Sequence, residues 1–575
     1  MKKLMLSIVW FGCLIQITAQ QVTTFELSKG TETTTYEECI SYYKQLDKKF
    51  TTISLKTFGN TDAGYPLHVV LFSTNGQFNP EKWHQQNKVI VLINNGIHPG
   101  ESDGIDATMM LMRDLAMRNI EVPDSVVVAA IAIYNIGGSL NRGSFSRANQ
   151  NGPLSYGFRG NAQNLDLNRD FIKNDSRNAQ TFARIFQWLN PDIFMDNHVS
   201  DGADYQHTMT LLTTQHNKLG GSIGQYMHEI FEPALYKGMA AKKWPMCPYV
   251  NFEDANPDKG WAAFYDPPRY SSGYAALFQT MAFVPETHML KPFADRVNST
   301  YALMQTMIET ADRDATNIKI ARRKSKTEVM QQTTFPLSWK VDSTTSEQIS
   351  FMGYEAGYKP SEVTGKDRLF YNRNKPFTKP VTYYNHFKGM KPLEKPKAYI
   401  IPQGWHEVID LLQLNKVTMR RLQNDSSILV EIYRIENYKT SSRAYEKHYR
   451  HSDVELSKKQ QTISFLKGDY LIYTGQATDR FLVETLEPQA DDSYFNWNFF
   501  DAILQQKEGY SDYRWEDLAA AYLKDHRALK QQLEDKKKAD AKFAASAAAQ
   551  MDFVYKNSPY YEPAHLRYPV YRILR

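Results

Sequence analysis

Cysteine is scarce in this chain, with 3 in 575 residues, and only Cys39 and Cys247 lie beyond the N-terminal segment. That scarcity excludes a disulfide-built scaffold and a cysteine-ligated metal cluster. In an oxidising compartment the two could pair; their separation does not decide it. Excess charge of one sign is also lacking. A formal net charge of +5 is small for this length, and no concentrated basic stripe points to nucleic acid. After residue 20 no apolar run is long enough to span a bilayer, so no transmembrane span is expected in the processed chain. No internal repeat is visible.

What the N-terminus does carry is a processing signal. Met1-Lys2-Lys3 is basic, Leu4 to Thr18 is apolar but short, and Thr18-Ala19-Gln20 offers small residues for cleavage. Residues 1–20 are therefore read as a signal peptide, which implies a secreted or periplasmic protein. Cys13 follows Gly12, as a lipid-modified cysteine would, but Trp10 and Phe11 suit that processing poorly. The competing reading is an uncleaved anchor.

Length alone implies about three to four domains. Residues 36–46 have helical spacing and 67–73 alternate as a strand. Val89-Ile90-Val91-Leu92-Ile93 and the run from Val126 to Tyr134 are unbroken apolar stretches, as buried parallel strands are. Helical patterns at 106–117 and 179–189, a short strand at 192–195, a helix end at 274–279 and a strand at 281–284 continue the alternation. This is an α/β fold with a mixed, largely parallel sheet flanked by helices, expected over residues 21–323. A long helix over 297–321 is expected to close it. A polar linker is expected at 324–334, then a β-rich accessory domain at 335–510 built of short alternating runs, with a helix at 405–412. A helical C-terminal segment is expected at 511–575, its charge run at 534–542 forming a solvated face.

Three of the strands end in polar residues: Asn94-Asn95-Gly96-Ile97-His98-Pro99-Gly100-Glu101, Asp196-Asn197-His198 and Pro285-Glu286-Thr287-His288. Ligands in open α/β sheets bind beyond the carboxyl ends of strands, so these segments should converge on one crevice. A catalytic zinc takes three nitrogen or oxygen ligands and keeps one position open. His98 and Glu101 sit one turn apart, and His198 would complete the set. Each alone is a weak signal, because a single histidine after a strand is more often structural. His207, His216 and His228 compete with His198 but fall in stretches read as loop or helix. Between these segments, Arg159-Gly160-Asn161 and Asp166-Leu167-Asn168-Arg169-Asp170-Phe171 form a loop suited to a carboxylate, which Arg binds with two parallel hydrogen bonds. The bland reading is a solvated loop with its arginines paired to Asp166 and Asp170, and composition slightly favours it.

The ordered set His-x-x-Glu, Arg, Asn-Arg, His, Glu resembles the zinc metallocarboxypeptidase family, the carboxypeptidase A-like peptidases, over roughly residues 35–320. A lone His-x-x-Glu is weak, whereas matches in register with the strand pattern are strong. Asn135-Ile136-Gly137-Gly138 stands where the family has Asn-Pro-Asp-Gly and departs from it.

The resemblance implies that His98, Glu101 and His198 bind one Zn2+ per chain. It implies Glu286 as the general base. Asn168 and Arg169 would hold the terminal carboxylate of a peptide substrate, and Arg159 would stabilise the oxyanion, with Arg142 and Arg147 as rivals. Tyr270 is preferred over Tyr265 and Tyr274 as the residue closing over substrate, although a packed aromatic explains each equally well. The activity so implied is removal of C-terminal residues from peptides outside the cytoplasm. Two other readings stay open: a zinc amidohydrolase acting on small N-acyl amino acids, and a degenerate peptide-binding protein.

Overall fold

The computed structural model describes residues 21–251 and 256–574. The segment read as a signal peptide, Cys13 included, lies outside the described residues. Ten strands fall in the first 288 residues: β1 (Ile53–Asn60), β2 (Pro66–Phe72), β3 (Val89–Asn94), β4 (Val126–Ile131), β5 (Ile193–Asp196), β6 (His198–Ser200), β7 (Met209–Thr213), β8 (Cys247–Pro248), β9 (Trp261–Ala262) and β10 (Met281–His288). Nine of them, all but β9, form one sheet in the order β1-β2-β4-β3-β5-β10-β7-β8, with β6 also pairing to β10. The centre of the sheet, β4-β3-β5-β10, is parallel, while β1, β2 and β7 pair antiparallel. Every residue of β3, β4 and β5 is buried, which is why these strands read as continuous apolar runs with no alternation.

Helices Tyr36–Lys49, Asp103–Met117, Arg177–Leu189 and Phe293–Arg313 pack against this sheet and one another. The 103–117 helix carries Asp103 and Asp106 in its first turn, where the helix dipole favours negative charge. Cys39 and Cys247 are both buried and unpaired.

The single long helix expected over 297–321 is two helices, Phe293–Arg313 and Ala315–Gln331, separated at Asp314. The second helix occupies most of the stretch expected to be a linker. Its sequence is polar because its buried face is built from charge as well as from Ile318, Ala321 and Val329. Lys319 and Arg322 both reach the buried Asp192, at 3.0 and 3.1 Å, and the Ile90 amide donates to the same carboxylate at 2.9 Å. The helix is thereby fastened to the starts of β3 and β5.

Beyond it lie β11 (Thr334–Val341), the long hairpin β12 (Glu347–Pro360) and β13 (Asp367–Tyr384), and β14 (Phe387–Glu394). β13 pairs with β9, joining the hairpin to the first unit. A six-stranded sheet follows, made of β15 (Ala398–Ile401), β16 (Arg420–Arg421), β17 (Ser426–Thr440), β18 (His451–Phe465), β19 (Tyr470–Tyr473) and β20 (Tyr571–Ile573), with the helix His406–Leu414 beside it. The final 65 residues are helical from Asp512 to Lys556, but they close with β20, which inserts between β15 and β17. Buried Tyr568, Val570 and Tyr571 drive that return. No helix among the described residues is long and apolar enough to cross a membrane.

Asp192→Asn leaves Lys319 and Arg322 without their buried counter-charge. It is expected to cost about 3–5 kcal/mol, read as a fall in the urea midpoint. Burial acts to raise the Asp192 carboxyl, but Arg322 and Lys319 outweigh it and hold the group below its usual range. The stabilisation is therefore complete above about pH 4 and fades as acid approaches the folded-state value. The difference between wild type and variant should shrink in that direction.

Candidate active site

The three polar strand ends meet. After β3 the chain turns through Gly96, whose φ of +65° suits a residue without Cβ, and the Glu101 amide donates to the His98 carbonyl at 2.8 Å. This tight turn places His98 and Glu101 on one side. Asn197 breaks the line between β5 and β6, its amide donating to the Asn94 carbonyl at 3.1 Å. His198 then opens β6 and lies directly opposite Glu286 in the parallel register with β10. One ligand atom from each of His98, Glu101 and His198 lies within 4.8 Å of the others, and all three residues are buried.

Each imidazole is oriented from behind by a carboxylate. His98 Nε2 is 2.9 Å from Asp166 Oδ1, and His198 Nε2 is 3.2 Å from Asp196 Oδ2. The Nδ1 atoms consequently face inward, 3.2 and 3.0 Å from the two oxygens of Glu101. His98 Nδ1 is buried and, beyond its 3.2 Å approach to Glu101, has no partner. A buried, unpartnered imidazole nitrogen beside a second imidazole and a carboxylate fits a divalent metal of the zinc type. Carboxylates bonded to the far ring nitrogens are the usual outer support of such a site. Burial acts to raise the Glu101 carboxyl, yet His98, Arg147 and His198 hold it well below the carboxylate range. Burial acts to lower His198, but Asp196 and Glu101 hold it well above the usual histidine range.

These residues floor a cavity of about 680 Å³ whose walls include Arg147, Arg159, Asn168, Arg169, Asp266, Tyr270 and Glu286. Arg159 Nη1 is 3.6 Å from Glu101, and its Nη2 is 3.0 Å from Asp166. The Arg169 guanidinium lies 4.3 Å from the Tyr270 ring centre, a cation–π distance. The side-chain oxygen of Asn168 is buried with no partner. Burial, reinforced by Glu101 and Asp201 and opposed by His198, pushes the Glu286 carboxyl up to about 8.

The rivals separate cleanly. Arg142 is spent on the carbonyls of Thr33 and Thr34. Arg147 enters the cavity but pairs with Glu101 at 2.7 Å, and it lies so close over Gly100 that a Cβ there would sit 2.1 Å from its Nε. His207 is held by the Pro245 carbonyl and the Met352 amide. His216 and His228 belong to a second cluster with His386. Tyr274 is a core residue bonded to Asn415 at 2.6 Å, and Tyr265 packs on Phe387. Of the three tyrosines, Tyr270 alone lines the cavity.

Asp196 and Asp166 stand out as supports of the two imidazoles, a role that their sequence segments do not reveal, although the pairing of Asp166 with Arg159 and Arg169 is the one expected of the loop. Nothing in the sequence could show that Glu446, 280 residues further on, accepts a hydrogen bond from the Asp166 amide at 2.8 Å.

Residues 39–188 match the sequence model of the zinc carboxypeptidase family. The chain carries a zinc carboxypeptidase domain. Over those residues the chain is similar to the zinc carboxypeptidases, a zinc-dependent family of hydrolases. The matched span contains His98, Glu101, Arg159, Asn168 and Arg169; His198 and Glu286 lie past its end and are brought in by the pairing of β6 with β10. Among solved structures, the chain is similar to a metallo-carboxypeptidase from Burkholderia cenocepacia, at 16% identity over 48% of this chain and 69% of that one, with a TM-score of 0.36. It is also similar to a Pseudomonas aeruginosa metallo-carboxypeptidase bound to (2-guanidinoethylmercapto)succinic acid, at 12% identity over 49% and 69%, TM-score 0.37. A carboxypeptidase A from Helicoverpa armigera matches at 14% identity over 49% and 74%, TM-score 0.37. Comparison with curated protein sequences returns no match.

Asp196→Asn and Asp166→Asn should each weaken zinc retention by about 10- to 100-fold, as loss of such outer support typically does. Chelator competition on the purified protein measures this; retention equal to wild type in both would show that the carboxylates do not orient the ligands.

Proposed function

We propose that the protein removes the last residue from peptides with a free C-terminus, and does so outside the cytoplasm. The observation that carries this reading is the shared cavity: an Asn-Arg pair suited to a carboxylate faces the same space as the His98, Glu101 and His198 donors and Glu286. The apolar N-terminal segment supports the location.

Arg169, steadied against Tyr270, offers a planar fork to a terminal carboxylate, and Asn168 adds its side chain. Fixing that carboxylate sets which peptide bond lies over the metal donors, so the enzyme acts on chain ends. His98, Glu101 and His198 would hold a zinc ion, which would supply Lewis-acid polarisation of the scissile carbonyl and a water made nucleophilic near neutral pH. Glu286 takes the proton from the attacking water and returns it to the departing amine. Arg159 donates to the oxygen that gains charge, a contribution typically worth about 2.7–4 kcal/mol. Tyr270 shields the terminal residue from the solvent side.

Glu286→Gln should retain zinc and fold while kcat falls by about 10²- to 10⁴-fold; near wild-type turnover would remove Glu286 as the base. Amidating the C-terminus of a peptide substrate should abolish cleavage, with Arg169→Met raising KM for the free acid. Equal cleavage of acid and amide would instead favour a general amidohydrolase.

A further inference from the structure

A second cluster of imidazoles lies away from the first. His216 opens the short helix His216–Leu219, His228 sits in the turn Met227–Phe231, and His386 occupies the turn between β13 and β14. One ring nitrogen from each lies within 4.8 Å of the others. The His216 and His228 rings stack with centres 3.9 Å apart, and His386 meets them edge-on at 5.0 and 5.7 Å. A carboxylate faces the group: Glu347 Oε1 is 3.2 Å from His228 Nε2 and 3.7 Å from His386 Nε2. Glu232 stands behind, 4.0 Å from His228 Nδ1. Among the described residues, no hydrogen bond satisfies a ring nitrogen of His216 or of His386. The imidazoles are only partly exposed, so an ion could enter while the ligands stay ordered by packing.

We infer that His216, His228, His386 and Glu347 form a second metal site, for a divalent transition metal that prefers imidazole, of which zinc is the best match. Three imidazole nitrogens, with Glu347 Oε1 as the nearest further donor to two of them, would make up a closed four-ligand set, which is the pattern of a structural zinc and not of a catalytic one. The chain segments that supply them explain what the ion would do. His216 and His228 come from the first unit, whereas His386 and Glu347 come from the β12–β13 hairpin and the turn after it. Their approach is already guided by polar contacts: the Gln215 side chain donates to the Asn385 carbonyl at 3.1 Å, and the Phe387 amide donates to Asn217 at 2.8 Å. A bound ion would pin the hairpin to the carboxypeptidase domain. The pin would have reach, because Leu212, Tyr249 and Phe264 line both the small cavity at this cluster and the substrate cavity. The second ion would thus brace the back of the wall that receives substrate.

Zinc content decides the matter. The full-length protein is stripped with chelator, reloaded with zinc, freed of excess by gel filtration and analysed by elemental mass spectrometry. Wild type should carry two zinc ions per chain. H98A/H198A should keep one, and H228A/H386A should also keep one, with its unfolding temperature no longer raised by the second equivalent. One ion in both wild type and H98A/H198A would keep the second site and count against the His98 and His198 site instead. None in H98A/H198A, or two in H228A/H386A, would overturn the second site. The cluster would then be an ordinary ion pair of a protonated His228 with Glu347. The H98A/H198A arm leaves the second cluster intact, so the result holds even if H228A/H386A fails to fold.

Discussion

One buried carboxylate organises the site. Glu101 is almost wholly removed from solvent, and four cationic or proton-donating groups close on it: His98, His198, Arg147 and Arg159, at 3.2, 3.0, 2.7 and 3.6 Å. A lone carboxylate in such surroundings would be neutralised by protonation or would cost several kcal/mol. Here the surroundings make the anion the stable form. The same crowding explains the outer layer. With two imidazoles aimed inward at Glu101, their far nitrogens must be satisfied by other groups, and Asp166 and Asp196 do this. Asp166 in turn gathers Arg159 and, at 3.9 Å, Arg169. The residues expected to polarise a carbonyl and to grip a carboxylate are therefore placed by the network that orients the metal donors. A change at Asp166 should be felt in binding and in chemistry together.

The sheet makes this convergence possible because parallel strands deliver all their carboxyl ends to one edge. The β6–β10 register decides which residues meet there. Sliding it by one position would turn Glu286 to the other face. Thr287, next along β10, donates to Asp103, which also pairs with the buried Arg296 at 2.9 Å. That contact couples β10 beside Glu286 to the start of the 103–117 helix, so Glu286 is fixed from two sides without using its own side chain.

What the sequence made legible follows from where the residues are buried. Strands β3, β4 and β5 are apolar on both faces and announced themselves. The cluster of His98, Glu101 and His198 could be anticipated because strand ends are punctuated by polar residues in a strongly apolar context. Residues 324–331, the end of the helix 315–331, read as linker because that helix's buried face is carried partly by Lys319, Arg322 and Ser325, and a hydropathy pattern cannot see that Asp192 neutralises the first two. The β12–β13 hairpin is far longer than the short runs expected: much of it is solvent-exposed on both faces, which erases the two-residue alternation. His216 and His228 were weighed as rivals for the catalytic position because spacing alone does not say which cluster a histidine joins.

The C-terminal half had offered no motif linked to catalysis, and the reason is that its contribution is made by a loop. Tyr445 to His448 reach over the Asp166–Arg169 segment: Glu446 accepts from the Asp166 amide, and His448 meets Asp175 at 2.6 Å. Glu446 and Lys447 both adopt positive φ, 48° and 76°. Non-glycine residues in that region each cost on the order of 1–2 kcal/mol, so the loop is not at its local minimum; the contacts across the interface hold it there. Close by, Arg269, adjacent to Tyr270, is tied to the buried Asp492 at 3.2 Å. Both the carboxylate-binding segment and the stretch bearing Tyr270 thus lean on residues more than 170 positions downstream. The accessory half backs the segments that wall the substrate cavity without lining it, and removing it would loosen Arg169 and Tyr270 before it disturbed Glu101 and His198, which are held from the central strands.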